Sequence, residues 1–209
     1  MTDPVPPVWF RLPPGFHDIG PRDRRALEEV AEALGGPAAR AQLGPLMDAL
    51  DELAGQPGQR LVHTSIGLHP DGPEAVSTSL FSLTVRPAGD AGPRIAVARA
   101  ALAVAGSPLW NGSARRFVDL ASHLPCAMVS GSVCVPGTDR GLFQARAVTV
   151  DPEGRHLLVL DLTSAATEHA DAYTNILEAV THTLGFHDPR PRPRPAGAGG
   201  TSRILEVLG

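Results

Sequence analysis

Apolar residues recur along this chain with two different periods, and each period predicts one kind of element. A period of two is typical of half-buried β-strands, and a period of three to four is typical of amphipathic helices. The period-two segments are residues 61–68, 76–85, 126–135, 142–150 and 156–163. The helical segments are residues 23–34, 38–54, 95–105 and 168–183. The pattern therefore predicts a protein that mixes strands and helices.

The segments between these elements are rich in glycine, proline and aspartate. Residues 13–15 and 151–154 predict turns, and residues 8–12 predict a short strand near the N-terminus. Residues 16–19 are expected to lead into the first helix. Residues 109–118, which show no clear period, predict an irregular connection or a short helix.

Taken together, these elements predict an α+β fold. We expect an antiparallel sheet of five to seven strands, since short turns join consecutive strands, with helices packed on one or both faces. Residues 1–187 are expected to form one globular domain. Residues 188–203 form an Arg/Pro- and Gly-rich linker that favours extended or flexible chain, and residues 204–209 an apolar C-terminal tail.

Composition excludes several classes of function. Hydrophobic residues make up 43% of the chain, charged residues 19%, and the formal net charge is −4, which is typical of a soluble protein and not of a nucleic-acid binder. All 18 basic residues are arginine, so lysine Schiff-base chemistry and a P-loop lysine are excluded. The N-terminus carries no signal-peptide pattern, and no apolar run is long enough to cross a bilayer, so we expect a cytoplasmic protein.

Histidines and acids supply the candidate chemistry. His63 and His69 lie on one face of a predicted strand, and Asp71 follows, so the three side chains could ligate a metal. His69 lies next to Pro70 at a predicted turn, however, and no third ligand as strong as the two histidines has a fixed spacing. We therefore expect neither a metal nor a cofactor. Asp161 lies among apolar residues and could act as a general acid, although an alternating strand more often exposes such a residue to solvent.

Other reactive residue types have ordinary structural interpretations. Glu168 and Asp171 are expected to complement the dipole of the last helix, with Thr167 as its N-cap. Cys126 and Cys134 are too far apart along one strand for a disulfide unless the chain reverses at Ser130-Gly131, and both are expected to be buried. Ser130 lies in a predicted strand and lacks the Gly-x-Ser-x-Gly turn of a nucleophile elbow.

Three features of the chain resemble the PsbP-like, or Mog-type, family. They are the order of elements, the opening Leu-Pro-Pro-Gly-Phe at residues 12–16, and the stretch LFQARAVTVDPEGRHLLVLDLTSAATEHADAYTNILEAVTHTLGF at residues 142–186. Members of that family bind proteins and are generally not enzymes; they include actinobacterial lipoproteins and the Eag secretion chaperones. The resemblance implies a cytoplasmic, non-catalytic binding protein, such as a chaperone or adaptor for a secreted or assembled client. The Arg-Pro tail departs from the family pattern.

The C-terminal tail is the predicted partner-binding segment. Ile204, Leu205, Val207 and Leu208 are apolar, and they follow a flexible linker. They would either fold back onto an exposed sheet edge or add a strand to another protein. Two alternatives stay open: a small hydrolase or small-molecule-binding enzyme that uses Asp161, His169 and His63, and a homo-oligomer that exchanges tails.

Overall fold

The computed structural model of the protein describes residues 6–19, 58–71, 76–134 and 141–187, together with isolated positions between 29 and 48. The predicted linker and tail, including Ile204, Leu205, Val207 and Leu208, lie outside the described residues. Most of the first predicted helix, residues 23–34, also lies outside them.

The described residues contain a seven-stranded sheet in which every neighbouring pair is antiparallel. Its order is β1-β2-β3-β7-β6-β5-β4. The strands are β1 (Phe16–Asp18), β2 (Arg60–Pro70), β3 (Val76–Pro87), β4 (Trp110–Phe117), β5 (Cys126–Cys134), β6 (Gly141–Val150) and β7 (His156–Ser164). This confirms the predicted α+β class and the upper end of the predicted strand number.

Most strand neighbours in this sheet are also consecutive in the chain. β2 and β3 form one hairpin, and β4 to β7 form a meander. The tight turn before β7 is closed by Gly154, whose φ of +69° is readily available to glycine and which also packs against Pro93. Pairing of β3 with β7 joins the hairpin to the meander over the register Ser79↔Ser164 to Pro87↔His156.

Two helices with full bounds pack on opposite faces of the sheet. α1 (Pro93–Ala105) begins with proline in its first turn, where the missing N–H costs nothing. α2 (Ala170–His182) follows a 3₁₀ turn at Thr167–His169. The predicted Thr167 cap is wrong: the residue before α2 is His169, and neither helical segment has a side-chain cap.

The two sheet faces carry separate apolar cores, which we call the α2 face and the α1 face. The α2 face packs as one cluster around Phe81, Leu83, Leu158, Leu160, Leu162, Tyr173, Leu177 and Val180. The α1 face holds two clusters. One joins α1 to β5, β6 and β7 through Ala96, Val97, Ala100, Val129, Val148 and Val159. The other joins the helical residues Leu43, Leu46 and Met47 to Ile66, Leu80 and Leu142.

Three local expectations are wrong. Residues 109–118 contain strand β4, whose polar side chains show no period because an edge strand is largely exposed. Residues 16–18 form β1 instead of leading into a helix, because they pair with β2. Residues 8–12 contribute an isolated bridge between Trp9 and Gly185, not a strand.

The two cysteines have different environments. Cys126 is buried, and burial together with nearby Glu178 raises its pKa to about 12. Cys134 is exposed, contrary to expectation, because it lies at the far end of β5, opposite Gly141 at the start of β6.

Neither α1 nor α2, nor any other helix in the described part of the chain, has the length and apolar character that a membrane span requires.

Candidate functional site

A strip of polar side chains crosses the middle of the α1 face. It lies on the three central strands, between the two apolar clusters of that face. Its members on β3, β6 and β7 are Ser82, Thr84, Gln144, Arg146, Asp161 and Thr163. The register places Ser82, Asp161 and Arg146 side by side across the strands. The antiparallel pairing therefore brings together an acid and a base that are 15 residues apart.

Arg146 and Asp161 form a buried ion pair. The Arg146 Nε donates to Asp161 Oδ1 at 2.5 Å, and the two side chains are 22% and 4% exposed. A charge taken out of water must be paired to remain stable there. The second carboxylate oxygen, Asp161 Oδ2, is buried and has no hydrogen-bond partner in the described part of the protein.

Arg86 lies beside this pair at the end of β3. Its side chain points to the α1 face, since its register partner on β7 is Leu157 of the α1 cluster. Among the described residues its Nε has no hydrogen-bond partner. Burial lowers the pKa of Arg86, and the nearby positive charge of Arg146 lowers it further. The pocket therefore holds two guanidinium groups, of which only that of Arg146 is paired with the Asp161 carboxylate.

These three charged side chains line a cavity of about 100 Å³. Thr84 and Gln59 add polar atoms to its wall, and valines from α1, β6 and β7 add apolar surface. Most of the lining residues are polar or charged, so a ligand in this space would be held mainly by charge and hydrogen bonds. We call this space the arginine pocket.

The structure separates the residues of the predicted acid–imidazole site. Asp161 lies on the α1 face. His63 is on the α2 face, where its ring contacts Phe10 and Phe81. His169 also lies on that side, next to Tyr173 of α2. The enzyme hypothesis that combined Asp161, His63 and His169 is therefore wrong, because a seven-stranded sheet stands between the acid and the imidazoles.

His63 and His69 are half-buried, and both have lowered pKa values. Burial is the main cause for each, because a charged imidazole is less stable away from water. Asp18 partly opposes the effect at His63, since its Oδ1 lies 3.3 Å from His63 Nε2. Both rings are therefore preferentially neutral in the folded protein.

We expect stability to fall as the pH drops below about 6.5, the ordinary histidine value. The folded pKa values of His63 and His69 lie below the unfolded one, so the unfolded chain binds protons first. The contribution of the two neutral histidines to the free energy of unfolding is therefore fully present above about pH 6.5 and is lost as the pH falls toward their pKa values in the folded protein. Urea unfolding of His63→Gln/His69→Gln should show a flatter pH dependence between about pH 5 and 7 than the native chain. The exposed His17→Gln variant is the control, and an equal slope in all three proteins would contradict the assignment.

The predicted metal ligands are regrouped by the structure. Asp71 lies not with His63 and His69 but with Glu168 and His169, and the ligand atoms of these three are within 4.8 Å of one another. His169 Nε2 lies 3.1 Å from Asp71 Oδ1 at the protein surface. This ion pair accounts for the positions of both side chains, and we assign no metal to it.

A buried acid–imidazole pair was not recognised in the sequence. Asp151 and His156 are both buried at the β6–β7 turn. Asp151 Oδ1 accepts a hydrogen bond from the backbone N–H of His156 at 2.9 Å, and Oδ2 lies 3.2 Å from its Nδ1. The pair closes the turn, so its role is structural.

The arginines of the pocket were also missed, although the sequence holds a signal for one of them. Once the turn at residues 151–154 is placed, counting back along the predicted hairpin sets Arg146 opposite Asp161. Arg86 gives no such signal, because β3 and β7 are far apart in the chain.

Large apolar side chains are exposed along α1, the following loop and β4. They are Ile95 and Leu102, each 58% exposed, Leu109 at 42% and Phe117 at 74%. α1 packs against β4, so the four residues belong to adjoining elements. We call them the α1/β4 surface.

Comparison with known proteins shows distant structural similarity only. No protein-family model matches the chain, and no curated protein matches it. LpqN, a protein involved in cell envelope biogenesis of Mycobacterium tuberculosis, is similar with a TM-score of 0.42 and 17% identity, over 62% of this chain and 78% of LpqN. The protein of unknown function PA94 from Pseudomonas aeruginosa is similar with a TM-score of 0.38 and 17% identity, over 66% and 88% of the two chains. Similarity at this level carries no information on function, and membership of the PsbP-like family stays a prediction.

Proposed function

We propose that this protein is a non-catalytic binding protein that holds another protein on its α1/β4 surface. The observation that carries the proposal is the exposure of Ile95, Leu102, Leu109 and Phe117 on adjoining elements. Exposed apolar residues that occur singly need no explanation, but several on neighbouring elements are typical of a surface that another macromolecule covers.

The charges of this segment indicate what kind of partner it fits. Residues 91–118 contain four arginines and no aspartate or glutamate, although the whole chain carries a net charge of −4. Arg94 and Arg99 are exposed on α1, and Arg115 is exposed on β4. Arg116 instead faces the α2 side of the sheet, where its guanidinium lies 2.6 Å from the Glu178 carboxylate, so three arginines supply the charge of this surface. A surface that is both apolar and basic is complementary to a protein segment with apolar and acidic side chains.

Side chains, and not a new strand, are expected to make the contact. β4 is an edge strand, and edges can pair with another chain. Here, however, a register shift between Asn111 and Ser113 interrupts the strand at Gly112, whose φ is +70°. Bulges and charged residues on an edge, such as Arg115, discourage strand addition. We therefore assign recognition to the apolar side chains and the arginines.

Other parts of the proposal rest on the sequence. A cytoplasmic location remains a prediction. A contact by the C-terminal tail also remains a prediction, because its residues Ile204, Leu205, Val207 and Leu208 lie outside the described residues. A role as chaperone or adaptor is the function that the PsbP-like resemblance implies. The separation of Asp161 from His63 and His169 supports a role without acid–imidazole catalysis.

The proposal is tested by purifying tagged protein from its native host. The native chain, the variant Leu102→Ser/Phe117→Ser and the control Val62→Ser are compared. Val62 is a suitable control because it is 42% exposed but lies on β2, toward the opposite side of the sheet. We expect one partner in stoichiometric amount with the native chain and with Val62→Ser, and about tenfold less with the double variant.

Two results would contradict this function. One is the absence of any stoichiometric partner while the protein is folded and abundant. The other is undiminished recovery of the partner by Leu102→Ser/Phe117→Ser. A flotation assay with vesicles of anionic lipid tests the other possible occupant of a basic, apolar surface, which is a membrane. Vesicle binding that depends on Leu102 and Phe117 would replace the protein partner by a membrane.

A further inference from the structure

The charges that line the arginine pocket do not balance. Arg86 and Arg146 each carry a positive charge, and Asp161 supplies one carboxylate, which Arg146 engages at 2.5 Å. Within the described residues no carboxylate pairs with Arg86. The three groups therefore leave one positive charge at a site that is partly removed from water. Such a charge attracts an anion.

Two buried polar atoms of the residues that line the pocket, one donor and one acceptor, have no hydrogen-bond partner among the described protein groups. The donor is Arg86 Nε–H, and the acceptor is Asp161 Oδ2, which belongs to a side chain that is 4% exposed. Buried polar atoms without partners are rare because they are costly. A ligand that satisfies both atoms must accept from arginine and donate to a carboxylate. A simple halide or acetate can do only the first.

The volume of the pocket limits the size of that ligand. A space of about 100 Å³ corresponds to roughly three water molecules, since each occupies about 30 Å³ in the liquid. This is sufficient for an anion of four or five non-hydrogen atoms. Thr84, which is buried, Gln59 and valines from three elements form the rest of the wall.

We propose that Arg86, Arg146 and Asp161 form a binding site for a small monovalent oxyanion that retains a hydroxyl group. Glycolate, hydrogen carbonate and dihydrogen phosphate share this chemistry. The guanidinium groups would hold the charged oxygens, as arginine does in carboxylate and phosphate sites. The hydroxyl would donate to Asp161 Oδ2. Burial and the neighbouring charge of Arg146 lower the pKa of Arg86, and a bound anion would relieve the repulsion between the two guanidinium groups.

The experiment is titration calorimetry of the full chain with glycolate, acetate, hydrogen carbonate, phosphate and chloride at constant ionic strength. We expect glycolate to bind about tenfold more tightly than acetate, which lacks the hydroxyl, and chloride to give no signal. Arg86→Gln should weaken glycolate binding about tenfold. Arg11→Gln removes the same charge from an exposed position near the N-terminus, outside both proposed sites, and should leave binding unchanged.

A second variant tests the hydroxyl contact separately. Asp161→Asn keeps the shape of the side chain but offers the ligand an amide, so the preference for glycolate over acetate should disappear. Tighter binding of phosphate or hydrogen carbonate that also depends on Arg86 supports the same site and identifies the oxyanion. Absence of heat with every oxyanion, an equal response to chloride, or glycolate binding that Arg86→Gln leaves intact would overturn the proposal. None of these outcomes bears on the α1/β4 surface.

Discussion

Asp161→Ala is expected to lower the free energy of unfolding by about 3–5 kcal/mol, because it leaves a largely buried arginine without its carboxylate. Arg146 keeps 22% of its side chain exposed, which places the expected loss at the lower end of that range. Arg86 adds to the loss, since its positive charge repels that of Arg146 and the compensating carboxylate is removed. Urea unfolding followed by circular dichroism measures the effect.

A double replacement separates the two sources of this loss. In Asp161→Leu/Arg146→Met both charges are gone, and apolar side chains of similar size replace them. Such exchanges of buried ion pairs are often neutral or stabilising, so we expect a change within about 1 kcal/mol of the native chain. A double variant as unstable as Asp161→Ala would show that the packing of the strip, and not its charge, is what matters.

Phe81→Ala and Phe117→Ala are expected to differ by several kcal/mol in their effect on stability. Phe81 is 1% exposed in the core of the α2 face, and its removal should cost about 3–5 kcal/mol through lost burial and the cavity left behind. Phe117 is 74% exposed, and its removal should change stability by no more than about 0.5 kcal/mol. The midpoint and slope of urea unfolding give both values.

The comparison also bears on the role of Phe117. A phenylalanine that does not stabilise the fold but is needed for partner recovery acts at an interface. If Phe117→Ala destabilised the protein as much as Phe81→Ala, Phe117 would have to be covered within the chain, and the α1/β4 surface would lose its main member.

The strands that the sequence predicted well are those with local pairing. β5, β6 and β7 begin and end within one residue of the predicted limits, because their alternation is regular and turn residues separate them. Their hairpins are determined by the turns between them, so the meander needs no long-range information. α2 lies within the predicted helical segment, residues 168–183, for the same reason, since its buried residues Tyr173, Leu177 and Val180 follow the helical period.

Local pattern was insufficient where tertiary context decides. β4 was missed because an edge strand with a mostly exposed surface has no alternation to detect. β1 was missed because three residues carry little signal, and they become a strand only by pairing with β2.

Asp161 shows how the candidate site escaped sequence reasoning. Alternation in β7 suggested that its polar position faces solvent, but both faces of this sheet are covered, and every residue of β7 is buried. The histidines were placed correctly on one face of β2, and yet the acid that was expected to join them is on the other. Which residues of distant strands share a face depends on the β3–β7 register, and no local pattern reveals it.

That single long-range junction divides the sheet into two contiguous parts of the chain, residues 16–87 and 110–164. Arg86 comes from the first part, and Arg146 and Asp161 come from the second. The arginine pocket consequently exists only after the two parts have docked, and an anion that binds there would bind the docked form alone. By mass action the ligand would stabilise the docked form relative to the separated parts. The docking of two such parts is the slow, entropically demanding step of a β-rich fold.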